Sequence, residues 1–134
     1  MLGACAGEGI PDLVGPGPTC TDVLPFRPEL HCIQQFVFTP SCAKAGCHVN
    51  PQAQVGMDLS DGIAWSNIVG VASVDIPSIN RVQPGDPNNS YLVLKIEGNS
   101  VIFGARMPQD GPPYLSQAQI DAIRQWVLDG AQDD

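Results

Sequence analysis

Basic residues are scarce in this chain of 134 residues. Six lysines and arginines stand against fourteen aspartates and glutamates, which gives a formal net charge of −8. Proteins that bind nucleic acid neutralise its phosphates with clustered lysine and arginine, and the sequence has no such cluster. The composition therefore excludes a nucleic-acid partner, whereas the acidic charge suits a partner protein with a basic docking surface.

Aromatic residues and long apolar runs are also scarce. Aromatic side chains make up 6% of the sequence, while thirteen prolines and fourteen glycines predict extensive loops. No apolar run approaches the ~20 residues that a membrane-spanning helix needs, so no such helix is predicted. The length corresponds to one domain. A small domain with few aromatics and many loops often needs a disulfide or a prosthetic group to complete its centre.

The N-terminal segment predicts a tether rather than part of a folded core. Residues 2–5, "LGAC", resemble a bacterial lipobox, in which the cysteine is lipidated and becomes the mature N-terminus. We interpret residues 1–25, which are rich in glycine and proline, as a leader that a lipid on Cys5 would anchor to a membrane. The alternative for Cys5 is a free thiol. Residues 26–134 are then the folded domain.

Four further cysteines form an even set. Cys20 and Cys32 bracket a short stretch of the sequence, and we predict a disulfide between them. Two unpaired, buried thiols are the alternative. A disulfide fits an oxidising compartment, so the sequence predicts a location in the periplasm, at the cell surface or outside the cell.

Four short helices are predicted, separated by long irregular loops. The first opens at Pro28 and is stopped by Pro40; the second spans "DGIAWSNIVG" after a cap at Ser60; the third begins at Asn89 or Ser90 and ends at Gly98; the last follows a capping box of Ser116 and Gln119 and ends at Gly130. No hairpin signal interrupts them, so the fold class is all-α. Long loops inside a compact domain suggest that they wrap around something.

Residues 42–48, "CAKAGCH", contain the most specific chemical pattern. Zinc is one interpretation, but it needs four donors. Cys42, Cys47 and His48 supply three, and adjacent cysteine and histidine chelate one ion awkwardly; the remaining candidates, His31 and Cys32, are another adjacent pair. A Cys42–Cys47 disulfide with an incidental histidine is the second interpretation.

Covalently attached haem is the third interpretation, and it explains the order of the residues. Two thiols add to the two vinyl groups of the porphyrin, and the histidine directly after the second thiol binds iron. The spacer between Cys42 and Cys47 has four residues instead of the usual two, and the small residues Ala43, Ala45 and Gly46 permit the longer loop. The sequence thus favours one haem c with His48 as an iron ligand.

A second iron ligand is expected from a loop near the last helix. Met107 lies sixty residues after Cys47, in "ARMPQDG", and is followed by a proline that stiffens the loop. Histidine and methionine together are typical ligands of cytochromes c. Met57 and His31 are rivals, an open position is a further alternative, and a methionine can also simply fill a gap in a core.

The chain resembles small monohaem c-type cytochrome domains of secreted or lipid-anchored bacterial proteins. The resemblance spans residues 36–131 and rests on five elements taken together: "CAKAGCH" (42–48), "GMDLS" (56–60), "RVQPGDPNNSYLVLKIEG" (81–98), "RMP" (106–108) and "LSQAQIDAIRQWVLDGA" (115–131). The spacer of four residues departs from the commoner motif.

This resemblance implies an all-α, class I cytochrome c-like fold, in which four to five short helices and long loops wrap around one haem. It implies thioether bonds at Cys42 and Cys47, with His48 as the proximal and Met107 as the distal ligand.

Three further residues are candidates for contact with the haem. Arg81 and Arg106 are candidates for its propionates, since guanidinium suits carboxylate, and each is otherwise a plain surface residue. Tyr91 is a candidate for packing on the haem face and is otherwise ordinary core.

Electron transfer outside the cytoplasmic membrane is the function that the sequence predicts, without catalysis on a substrate. A haem with both axial positions filled exchanges single electrons, and nothing resembles a catalytic triad or a phosphate loop. Redox proteins are the expected partners, with possible haem-to-haem stacking between copies and contact with a membrane only through a lipid anchor. The alternatives are a haem enzyme or ligand-binding protein with an open axial site, and a haem-free interaction module stapled by disulfides.

Overall fold

The structure is a computed structural model and describes Cys20 and residues 27–134. Apart from Cys20, the predicted leader 1–25 and its lipidation candidate Cys5 lie outside the described residues. Within the described part, no helix combines the length and the apolar character that a membrane crossing needs.

Helices are the main regular elements of the described residues. Helix α1 (Leu30–Ile33) continues directly into wider, π-helical turns (Gln34–Cys42); α2 is Ala64–Ile68, α3 is Tyr91–Glu97 and α4 is Gln117–Leu128, with short 3-10 turns at Gln54–Gly56 and Pro87–Asn89. Strand pairing in this part of the chain is limited to the isolated bridges Val69–Val82, Ala72–Asn80 and Asn80–Ser90.

The prediction that Pro40 stops the first helix is wrong, because the helical path continues to Cys42. In an α-helix, the proline ring clashes with the carbonyl four residues back. The π-helical turns are wider and bond donors to carbonyls five residues back, as the Ala43 N–H does to the Phe38 carbonyl at 2.7 Å. The continued path brings Cys42 to the end of an element that packs against the core.

The second helix is shorter than predicted, and Ser60 does not cap it. The backbone N–H and the hydroxyl of Ser60 both donate to Asp58 Oδ1, at 2.9 and 2.6 Å. The hydroxyl is thus engaged by a neighbouring carboxylate, and α2 begins at Ala64 without a side-chain cap.

The predicted end of α3 at Gly98 and the predicted start of α4 after Ser116 are confirmed. Gly98 follows α3 in the left-handed conformation, with φ of 69°, which glycine adopts without a steric penalty. At the start of α4, Ser116 Oγ accepts from the Gln119 N–H, and Gln119 Oε1 accepts from the Ser116 N–H. These two bonds form the capping box that the sequence predicts.

One apolar cluster joins these helices. The first helix contacts the last, and Ile33, Val37, Ile123 and Val127 are fully buried in this cluster. Full burial of such a side chain contributes about 1.5–3 kcal/mol. The cluster therefore fixes the end of the π-helical turns relative to α3 and α4.

Candidate cofactor site

A cavity of about 760 Å³ opens between the π-helical turns, α3 and the loop that precedes α4. Its volume lies within the ~300–1,000 Å³ of ligand pockets. The predicted site residues that line it are Cys42, Cys47, His48, Arg81, Tyr91 and Met107. Residues that are far apart in the sequence thus meet at one cavity.

Cys42 and Cys47 reach the cavity from a tight turn. The Cys47 N–H donates to the Lys44 carbonyl at 2.8 Å, and the His48 N–H donates to the Cys42 carbonyl at 3.0 Å. Gly46, directly before Cys47, has φ of 81°, a conformation in which a residue with a side chain would be strained. The two thiols are free and are not bonded to each other. Burial raises the pKa of Cys42 to about 12, so this sulfur is a protonated thiol.

The ring of His48 has a defined orientation. Its Nδ1 lies 3.2 Å from the Met57 carbonyl oxygen. Because a carbonyl only accepts, Nδ1 donates, and the neutral ring then has its lone pair on Nε2. Metal-binding histidines commonly donate their other N–H to a carbonyl in this way. Burial lowers the pKa of His48, against the opposing effect of the Met57 and Gln54 carbonyls, which favours the neutral ring that binds metals.

Both internal methionines line the cavity, and they are held differently. The Met57 carbonyl faces Nδ1 of His48, so the Met57 backbone lies on the side of the imidazole away from Nε2. Met107 belongs to the loop before α4, and its N–H donates to the Lys95 carbonyl of α3 at 3.0 Å. Met107 therefore approaches the cavity on a separate part of the chain from the Cys-His turn.

Arg81 is a buried cation at the cavity wall. It is 8% exposed, and its two terminal nitrogens donate to the Asn67 and Val55 carbonyls, each at 2.8 Å. Burial lowers the pKa of Arg81, although a guanidinium stays charged. Among the described residues, no carboxylate forms an ion pair with Arg81. An anionic group in the cavity would supply the missing counter-charge.

Tyr91 and Arg106 have different positions relative to the cavity. Tyr91 is buried and lines it; its hydroxyl donates to Asp75 Oδ2 at 2.9 Å and accepts from the Phe103 N–H at 3.0 Å. Burial raises the pKa of Tyr91. Arg106 is not among the lining residues, because its guanidinium lies over the Tyr114 ring, 4.4 Å from the centroid. The assignment of Arg106 to a propionate stays a prediction.

The predicted pair Cys20 and Cys32 forms a disulfide in the structure. His31 lies beside it, and the ligand atoms of these three residues lie within 4.8 Å of one another. Two sulfurs bonded to each other are not thiolates, which are the form of cysteine that binds metals. The group therefore serves as a staple, and His31, a rival for the second iron ligand, does not line the cavity.

Sequence reasoning missed two residues of this site. The backbone carbonyl of Met57 has no signature in a side-chain pattern. Lys95 also lines the cavity, and it is the one charge within the apolar stretch "YLVLKI" of α3. A lone lysine among residues that pack inward was the available signal.

Comparisons with protein-family models, with curated proteins and with solved structures find no match to this chain.

Proposed function

We propose that this chain binds one haem c covalently and carries single electrons outside the cytoplasmic membrane. One observation carries the proposal: two free thiols, an oriented imidazole and a methionine on a separate loop line the same cavity of about 760 Å³. Zinc would not need so large an apolar space, and the free thiols argue against a Cys42–Cys47 disulfide. An all-α, class I cytochrome c-like fold is part of this proposal.

Four side chains that line the cavity would hold the cofactor. Cys42 and Cys47 would form the two thioether bonds, and His48 would bind iron through Nε2 while Met57 keeps its ring oriented. Met107 would supply the distal sulfur. When bound, such a haem supplies reversible one-electron transfer at its iron.

Two further lining residues, Arg81 and Tyr91, would contact the cofactor without binding iron. Arg81 would neutralise a propionate, and its bonds to two backbone carbonyls keep the guanidinium in place before the cofactor binds. Tyr91 would pack against the macrocycle, while its hydroxyl is fixed by Asp75. A filled distal position leaves no place for a substrate on iron, so we propose a carrier and not an enzyme.

The disulfide supports a location for this protein, and its net charge supports a class of partner. The Cys20–Cys32 disulfide supports an oxidising compartment, and a lipid on Cys5 would tether the domain to a membrane. The net charge of −8 supports redox partners with basic docking surfaces, and stacking of haems between copies is a second mode of transfer.

A redox titration followed by visible absorption tests this function. The chain, expressed with a cytochrome c maturation system, should show one reversible one-electron transition and a methionine-to-iron charge-transfer band when oxidised. A covalent haem without that band, together with tight binding of added ligands, would support the open-site alternative. A purified chain without visible absorption would support the haem-free module and refute the proposal.

A further inference from the structure

We infer that Lys95 is a positioning residue: it clamps the loop that carries Met107 onto helix α3, and so determines how firmly the methionine holds the distal position. The part of this inference that concerns iron rests on the proposed function. The clamp itself concerns only protein atoms.

Three hydrogen bonds connect Lys95 to this loop. Its Nζ donates to the Phe103 carbonyl at 2.7 Å and to the Ala105 carbonyl at 2.9 Å. Its backbone carbonyl accepts from the Met107 N–H at 3.0 Å. The three partners are alternate residues, so one lysine fixes the backbone of the whole segment 103–107. Hydrogen bonds from an ammonium are about twice as strong as neutral ones.

Packing contributes little to holding this segment. Phe103 is 60% exposed, and Gly104 and Ala105 are also exposed, while Arg106 and Met107 are half-buried. Two further bonds join this segment to α3: Arg106 Nε donates to the Ile96 carbonyl and the Phe103 N–H donates to the Tyr91 hydroxyl, both at 3.0 Å. Because apolar burial is slight in residues 103–105, the order of this segment depends on hydrogen bonds, and Lys95 makes three of its five bonds to α3.

The clamp has a functional consequence because methionine is a weak iron ligand. A sulfur on a mobile loop loses entropy when it binds iron, whereas a loop ordered in advance has already lost it. Without the two bonds from Lys95 Nζ, Met107 would leave iron more often, and an added ligand such as imidazole would compete better. The residue acts through Met107 and need not touch the cofactor.

The first test measures backbone hydrogen exchange in the haem-free chain. In Lys95→Met, which keeps the length and the helix propensity of the side chain, the amide hydrogens of Phe103 and Met107 should exchange about tenfold faster. Arg124→Met is the matched control. It removes one positive charge, from a side chain that donates to Glu97, the last residue of α3, and should leave the exchange rates of these two amides unchanged.

The second test measures imidazole binding to the haem-loaded chain. Lys95→Met should bind imidazole about tenfold more tightly and weaken the methionine-to-iron band, while Arg124→Met should match the wild type. If a loaded wild type has the band but Lys95→Met changes neither exchange nor imidazole affinity, the inference is overturned. Tighter imidazole binding without faster exchange would also overturn it, because the effect would then come from the lost charge and not from the loop. If no haem binds to the wild type, the proposed function fails, and the exchange test still decides the clamp.

Discussion

The imidazole of His48 directs its Nδ1 at the backbone carbonyl oxygen of Met57, 3.2 Å away. This contact selects the tautomer with the lone pair on Nε2. In the proposed function Met57 would orient the proximal histidine through its backbone carbonyl, and the sulfur of Met107 would fill the distal position.

Substitution of the two methionines tests this separation. Met107→Ala should abolish the methionine-to-iron band and let water or imidazole bind, and Met107→His should keep six ligands but lower the reduction potential, because the thioether favours ferrous iron. Met57→Ala retains the backbone carbonyl and should preserve the band. The assignment is wrong if Met57→Ala abolishes the band while Met107→Ala leaves it intact.

Replacement of Arg81 should affect both stability and potential. Arg81→Met removes two charged hydrogen bonds to the Asn67 and Val55 carbonyls and should lower the free energy of unfolding by about 1.5–3 kcal/mol, measured by urea denaturation of the haem-free chain. In the loaded chain the lost cation should lower the reduction potential, because it no longer opposes the more positive oxidised state.

Arg124→Met is the control for this prediction, since Arg124 bonds Glu97 and does not line the cavity. Its potential should stay close to that of the wild type. Equal changes of potential in the two variants would refute the distinct placement of Arg81 next to the cofactor.

The sequence predicted the elements whose signals are local. Ser116 and Gln119 identified the start of α4, and Gly98 identified the end of α3, because capping and left-handed turns depend on a few neighbouring residues. The predicted helix end at Pro40 was wrong because π-helical turns accept this proline, and these turns are set by packing against the core. The order of cysteines and histidine indicated residues that line one cavity, but the bonds that His48 and Arg81 donate to backbone carbonyls depend on tertiary contacts that no spacing encodes.

Removal of the Cys20–Cys32 disulfide should destabilise the folded domain. The two residues are separated by 12 positions, and closure of a loop of this size typically contributes ~2–4 kcal/mol. The double variant Cys20→Ala with Cys32→Ala, compared with the wild type in urea denaturation, should show this loss, and reduction of the wild type is the control. Peptide mapping without reductant that finds both thiols free would contradict the pairing.

An exposed ion pair joins the Cys42–Cys47 spacer to the segment after Met107. Lys44 Nζ lies 2.6 Å from Asp110 Oδ2, and this hydrogen bond and charge hold the pKa of Asp110 below its usual value and the pKa of Lys44 above it. The pair therefore contributes stability at pH values between the ordinary pKa values of a carboxyl and an amine. That contribution is lost as the pH falls through the lowered pKa of Asp110 or rises through the raised pKa of Lys44.

In Lys44→Gln the pKa of Asp110 should move up toward its ordinary value, as measured by NMR titration of its carboxyl carbon. High salt should reduce the difference between variant and wild type, because both groups are exposed to solvent. An Asp110 titration that is identical in the two proteins at low salt would show that the pair does not persist in solution.

Covalent attachment of haem to Cys42 and Cys47 is the step on which the proposed function depends. The most direct measurement is the mass of the acid-denatured chain after expression with a cytochrome c maturation system, with Cys42→Ala combined with Cys47→Ala as the control. The wild-type chain should keep its colour in acidified organic solvent and be heavier by one haem, whereas the double variant should do neither. Complete extraction of the haem from the wild-type chain into the solvent would contradict covalent attachment.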